Sequence, residues 1–260
     1  MSSNKETFGK TVGFVVAVCL VCAALVSISA VQLKPLQVEN KLLDKQTKIL
    51  EAASLLEQTD GTAKSIKETY AKYVEARMID LDSGEYIDGN PDLFDERRNA
   101  RDAKKSDKPE NDIAGINRRS HDAVIYLVRD DNGDVATVVF PIVGSGLWDL
   151  MYGFVGMESD LNTVKNLIYT ADFKETPGLG AEVLNPNWKA LWPGKKIYNG
   201  SSEVEIQLVK GGAKADDVHG VDALSGATLT SNGVTNTLHF WFGKEGYLPF
   251  IAKYRAGELK

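Results

Sequence analysis

At 260 residues the chain has room for one membrane segment and one or two compact domains, which commonly run to about 100–200 residues each. Its 43% hydrophobic and 25% charged residues argue against a disordered, collagen-like or disulfide-knotted chain. A net charge of −6 argues against nucleic acid as the partner, because phosphate backbones are held by basic faces.

The first element is an apolar run. Residues 11–33, TVGFVVAVCLVCAALVSISAVQL, carry no charge, and about 23 residues of helix span about 34 Å, the thickness of a bilayer core. This predicts a transmembrane helix, with residues 1–10 as a cytoplasmic N-terminus. A cleaved signal peptide is the alternative, favoured by the small residues Ser27, Ser29 and Ala30, but its apolar region ordinarily spans only about 7–15 residues. Cys19 and Cys22 both lie in this run, so no disulfide, zinc-thiolate or iron-sulfur centre can be built from cysteine beyond it. Lys5 and Lys10 precede the run while Lys34, Lys41, Lys45 and Lys48 follow it. Taken literally, the positive-inside rule keeps the large domain cytoplasmic. A cysteine-free domain is also compatible with the extracytoplasmic side.

Residues 34–120 read as a juxtamembrane helical and charged region. After Pro35, residues Leu42, Leu43, Ile49, Leu50, Ala53 and Leu56 form a helical stripe that ends at Thr59-Asp60-Gly61. A second helix is expected from Ala63 to Ala76, then short strands at Arg77–Leu81 and Glu85–Ile87. From Asp88 to Ser120 the chain is polar and reads as a surface excursion, its cluster Arg97, Arg98, Arg101, Lys104 and Lys105 either solvated or a docking patch.

Residues 121–260 read as a mostly antiparallel α+β domain. Strands at Ala123–Val128 and Val135–Val143 flank an Asn132-Gly133 hairpin turn. Leu150–Met157 and Thr163–Asp172 form a second pair, and Ser202–Val209 a further strand. Trp188 and Trp192 share one face of a short helix at i, i+4. His121, His219 and His239 are scattered, so no metal site is expected.

Three glycine-bearing segments stand out: GSGLW (Gly144–Trp148), ETPGLGA (Glu175–Ala181) and DALSGATLTS (Asp222–Ser231). The first two read equally as ordinary turns, and neither carries a third glycine opening a helix, so neither is a dinucleotide fingerprint. In the third, Ser225, Gly226 and Ala227 lead into Thr228 just before a helix whose apolar stripe is Val234, Leu238, Trp241 and Phe242, with Thr230, Ser231 and Asn232 as cap candidates and Gly243 as a stop. Thr228 therefore sits beside a helix N-terminus, where free N–H groups and the dipole attract an anion. A plain capping run is the alternative.

DALSGAT resembles the flavinylation motif of the FMN-binding domain family. In that family the final threonine, here Thr228, is esterified to the FMN phosphate by a flavin transferase. Asp222, Ser225, Gly226 and Ala227 match the rest of the motif, and Glu175, Thr176, Pro177, Gly178, Leu179 and Gly180 match a flavin-side loop. With its single anchor and the order of its segments, the whole chain is similar to the C-subunit family of sodium-translocating NADH:quinone reductases. The related Rnf G-subunit family is the alternative, and a membrane-anchored binding module without covalent flavin is a third reading. The resemblance implies FMN bound covalently to Thr228, an electron-carrying role without catalytic acid, base or nucleophile, and a soluble domain in the periplasm. It also implies partners in the other membrane subunits of one respiratory complex, a flavin transferase during maturation, and inner-membrane lipid. Gly146, Leu147 and Trp148, with Gly178 and Leu179, are the candidates for lining the flavin ring.

Overall fold

The computed structural model describes residues 7–259 and divides into two compact units, residues 1–45 and 46–260. Residues 1–6, most of the expected cytoplasmic N-terminus, lie outside the described residues. Helix α1 takes in Phe8–Ala52, Pro35 included. Pro35 does not interrupt it: proline removes one backbone hydrogen bond, a loss that long apolar helices tolerate. In the first unit the apolar side chains of α1 are exposed, among them Phe14, Leu20, Leu25 and Val31, and α1 is long and apolar enough to cross a membrane.

The second unit begins with the last residues of α1 and a short 3-10 turn, Leu56–Gln58. Helix α2 (Ala63–Tyr73) is capped by the Thr62 hydroxyl, which accepts from the Ser65 N–H at 3.2 Å. It gives way to β1 at Val74, earlier than its sequence suggests, because Val74 and Ala76 pair with β5. The remaining elements are β1 (Val74–Asp80), β2 (Tyr86–Ile87), α3 (Glu96–Arg101), β3 (Ser106–Asp107), β4 (Arg119–Ser120), β5 (Asp122–Arg129), β6 (Val135–Ser145), β7 (Leu150–Glu158), β8 (Val164–Tyr169), α4 (Pro186–Lys189), β9 (Gln207–Val209), β10 (Gly220–Asp222), α5 (Thr228–Trp241) and α6 (Leu248–Arg255).

Six strands form one antiparallel sheet in the order β2-β1-β5-β6-β7-β8, so strands from residues 34–120 and from 121–260 share it. The β5–β6 turn follows the Asn-Gly signal: Gly133 has φ +90°, and Asp130 Oδ1 accepts from the N–H groups of Asn132 and Asp134. One sheet face packs Val124, Tyr126, Val139, Phe154 and Ile168 against Ile49, Ala52 and Ala53 of the α1 end. A Cβ at Gly156 would lie 2.0 Å from the Ala52 carbonyl oxygen, so the helix backbone rests directly on β7. The opposite face carries the main core beneath α5 and α6.

Helix α5 is held close to β6 by missing side chains. A Cβ at Gly233 would lie 2.1 Å from the Ser145 carbonyl oxygen, and one at Gly144 would overlap Thr237. Pairing of β5 with β6 ends at Tyr126↔Val139. Beyond that point Tyr247 Oη donates to the Pro141 carbonyl at 2.6 Å and Trp241 Nε1 to the Val143 carbonyl at 2.7 Å.

Three sequence expectations change, and one helix is new. The stretch 88–120 is no simple surface excursion, since Ser106, Ala114, Ile116, Arg119 and Ser120 are buried. Arg119 Nη1 donates to the Glu245 carbonyl at 2.6 Å and its guanidinium pairs with Asp82. The strand expected over Ser202–Val209 shrinks to β9, which runs parallel to β10 rather than antiparallel. Helix α6, which the sequence pattern does not announce, buries Phe250 and Ile251. Thr230 and Ser231 lie inside the first turn of α5 and do not cap it, because the helix already starts at Thr228.

Candidate functional site

The three glycine segments meet around one carboxylate. Glu175 follows β8 in the loop that carries Gly178 and Gly180, and it is only 6% exposed. Its Oε1 accepts the Trp148 backbone N–H at 3.0 Å, and its Oε2 accepts the Thr230 hydroxyl of α5 at 2.6 Å. A Cβ at Gly146 would lie 2.4 Å from Oε1 and one at Gly180 2.3 Å from Oε2. Both glycines are therefore required by the carboxylate they enclose. The Trp148 indole also donates to the Thr176 hydroxyl at 3.4 Å.

The third segment is folded by its own polar atoms. The Ser231 hydroxyl donates to the Ala227 carbonyl and accepts the Leu224 N–H, both at 3.0 Å, which closes the turn across Ser225 and Gly226. Gly226 has φ +73°, a left-handed conformation costly for any side chain, and a Cβ there would press on Leu179 at 2.9 Å. Asp222 anchors the entry: its carbonyl accepts Trp188 Nε1 at 2.9 Å and its Oδ1 accepts the Ala213 N–H at 2.8 Å.

This turn leaves Thr228 exposed as the first residue of α5, with Ser225 exposed two residues before the cap residue, Ala227. No side chain caps the helix, and the N–H groups of Thr228, Leu229 and Thr230 have no acceptor among the described residues. Unpaired N–H groups and the positive end of the helix dipole make this a place for an anion. Beside it lies apolar surface: Trp148 is 68% exposed, Leu229 61%, Leu147 45% and Leu179 40%. Large apolar side chains left this open together could hold an apolar group. The donor set and this surface fit a phosphate joined to an aromatic ring system.

Every candidate residue named from the sequence thus falls in one neighbourhood. Asp222 and Glu175 brace it from behind, and Thr228, Ser225, Leu147, Trp148, Thr176, Gly178 and Leu179 are open to solvent or nearly so. Sequence reasoning misses two contributors. Leu229 adds apolar surface next to Thr228, a position legible from the motif's next residue. Thr230, whose partner Glu175 is 55 residues away, leaves no local signal.

A family model described as "FMN-binding domain" matches residues 146–243, which contain Thr228 and nearly all of the three segments. Over its whole length the chain is 47% identical to the C-subunit of the Na(+)-translocating NADH-quinone reductase of Vibrio alginolyticus, which is also covered in full. The C-subunit of Yersinia pestis is likewise 47% identical, over 99% of this chain and 97% of that relative. The chain belongs to this C-subunit family. The crystal structure of NqrC from Shewanella oneidensis superposes with a TM-score of 0.78 at 40% identity, over 84% of this chain and 98% of that one. The crystal structure of the C-subunit from Parabacteroides distasonis superposes with a TM-score of 0.65 at 26% identity, over 84% and 96%. Together with α1, membership makes this a membrane-anchored component of the reductase that carries an FMN-binding domain.

Proposed function

We propose that this chain is the electron-carrying flavoprotein subunit of a sodium-pumping NADH:quinone oxidoreductase, with FMN joined through its phosphate to Thr228. The observation that carries this reading is the exposed Thr228 hydroxyl at an uncapped helix start, with three unpaired N–H groups, beside the open surface of Trp148 and Leu179. FMN, when bound, supplies redox chemistry at its ring. The protein's part is placement. The α5 N-terminus neutralises a phosphodiester, while Leu147, Trp148, Gly178 and Leu179 offer the ring an apolar bed. Glu175 fixes the relative positions of both parts by holding Trp148 and Thr230. A covalent tether suits a carrier that must not lose its cofactor to dilution.

Identity over the full length to quinone-reductase C-subunits supports that complex over an Rnf-type one. The same reading takes the other membrane subunits as partners, a flavin transferase as the maturation enzyme, lipid around residues 11–33, and a periplasmic position for the large domain.

Peptide mass spectrometry after co-expression with a flavin transferase tests the attachment. FMN is expected on a single peptide at Thr228, absent in Thr228→Ala and still on Thr228 in Ser225→Ala. Flavin on Ser225, or retained covalently in Thr228→Ala, overturns the assignment. A C-terminal alkaline phosphatase fusion is expected to be active, and activity confined to a cytoplasmic reporter would reverse the orientation.

A further inference from the structure

A cavity of ≈370 Å³ lies between α3, the segment at 116–120, the β6–β7 hairpin and the last turn of α5. No residue of the three glycine segments lines it, although Val143 and Leu150 flank the first of them, and the inference does not rest on the flavin reading. Its polar wall carries four arginines, Arg97, Arg101, Arg118 and Arg119, against the one carboxylate of Glu96. Asp172 and Asp82, the ion-pair partners of Arg97 and Arg119, do not line it. Arg101 has no hydrogen bond or ion pair among the described residues, so its guanidinium fork is available.

Two further observations point to a ligand. Ser120 is 2% exposed and lines the cavity, yet its hydroxyl has no hydrogen-bond partner among the described residues. A buried hydroxyl without a partner costs stability unless something in the cavity accepts its proton. The lining also has an apolar part, Val143, Leu150 and Trp241. The Trp241 N–H is already given to the Val143 carbonyl, so the indole offers only its apolar surface. Arg97 is preset: its guanidinium lies 3.5 Å from the centroid of the Tyr152 ring and is held by Asp172 at 2.7 Å. A cation fixed in this way loses little freedom on binding an anion.

We propose that this cavity binds a small aromatic carboxylate. The carboxylate sits on the Arg101 fork and accepts the Ser120 hydroxyl, and the flat body lies against Trp241 and Leu150. Arginine rather than lysine throughout the wall suits the planar, bidentate geometry of a carboxylate. The volume falls at the small end of ligand pockets, about 300–1,000 Å³, and suits one fused or single ring rather than a nucleotide.

Isothermal titration of the full-length flavinylated chain in detergent with 2-naphthoate tests the proposal, with Arg101→Ala in the same micelle as the background. The expected result is one saturable site, at least tenfold weaker in Arg101→Ala and several-fold weaker in Ser120→Ala. Affinity is unchanged in Arg98→Ala, whose side chain lies on α3 but outside the cavity. The neutral isostere 2-naphthamide is expected to bind at least tenfold more weakly. Inorganic phosphate as tight as 2-naphthoate would mean an anion patch without apolar recognition and overturn the proposal. So would naphthamide as tight as naphthoate, an equal loss in Arg98→Ala, or no saturable binding at millimolar ligand.

Discussion

Glu51 and Glu175 are both largely sheltered carboxylates of the same unit, and they are stabilised in opposite ways. Glu51, at the end of α1, meets Lys48 at 3.0 Å and Lys189 at 2.5 Å. Burial pushes its carboxyl up, but hydrogen bonds and charge attraction from Lys189 and Lys48 outweigh that and hold it below its ordinary value of 4.5. Glu175 has no cation among its partners and is satisfied by a backbone N–H and a hydroxyl. At Glu51, where the carboxylate ties the end of α1 to α4, two lysines neutralise it. At Glu175, where it braces the surface around Thr228, its charge is left uncompensated except by dipoles.

The largest break in this contrast is Glu175→Ala. It strands the Trp148 N–H and the buried Thr230 hydroxyl and opens a void beside Gly146 and Gly180. Each buried group left unpaired costs about 1–3 kcal/mol, so a loss of about 2–4 kcal/mol is expected in urea unfolding. The three segments should also separate, lowering flavin loading during co-expression. Wild-type stability together with full loading would show that Glu175 holds nothing in place.

Glu51→Gln should cost less, about 1 kcal/mol, because its side chain is partly solvated and the lysines can turn to water. The sign of its pH dependence follows from the lowered folded value. The Glu51 contribution is complete above the unfolded value near 4.5 and is lost as the pH falls through the folded one. Urea midpoints measured from pH 7 down to pH 3 should therefore converge for wild type and Glu51→Gln. A gap that persists at the acid end would place the effect in packing rather than charge.

The contrast also marks what a sequence can disclose. The β5–β6 hairpin was legible because Asn132-Gly133 carries its own turn geometry, and α5 because Val234, Leu238, Trp241 and Phe242 repeat at helical spacing. The gathering of GSGLW, ETPGLGA and DALSGAT was legible as three motifs but not as one site. Glu175 joins them across 27 and 55 residues, and nothing local in the sequence encodes such a distance. The same blindness hid the burial of Ser106, Arg119 and Ser120. Their polarity argues for the surface until Asp82 and the Glu245 carbonyl are seen to satisfy Arg119. Residues 202–206 alternate like a strand, but they fold back on residues 197–199, where only Val204 makes a bridge, to Tyr198, and β10 pairs with Gln207–Val209 alone.

The finest test changes the charge of Glu175 and nothing else. In Glu175→Gln the side-chain oxygen can still accept the Trp148 N–H, and the amide can donate to the Thr230 oxygen, since a hydroxyl accepts as readily as it donates. The shape is kept, so Gly146 and Gly180 remain compatible and the change in stability should stay below about 1 kcal/mol. What is removed is one negative charge behind the surface proposed to carry the flavin ring. At a separation on the order of 10 Å and an effective dielectric of about 20–40, that charge opposes the arrival of an electron by roughly 1 kcal/mol. Removing it should raise the flavin midpoint by about 40 mV for a one-electron step. Spectroelectrochemical titration of the loaded, folded variant reads this directly. An unchanged midpoint beside a destabilised Glu175→Ala would leave Glu175 as a brace whose charge the ring does not feel and would place the ring away from the Trp148 and Leu179 surface, and a lowered midpoint would contradict the electrostatic argument outright.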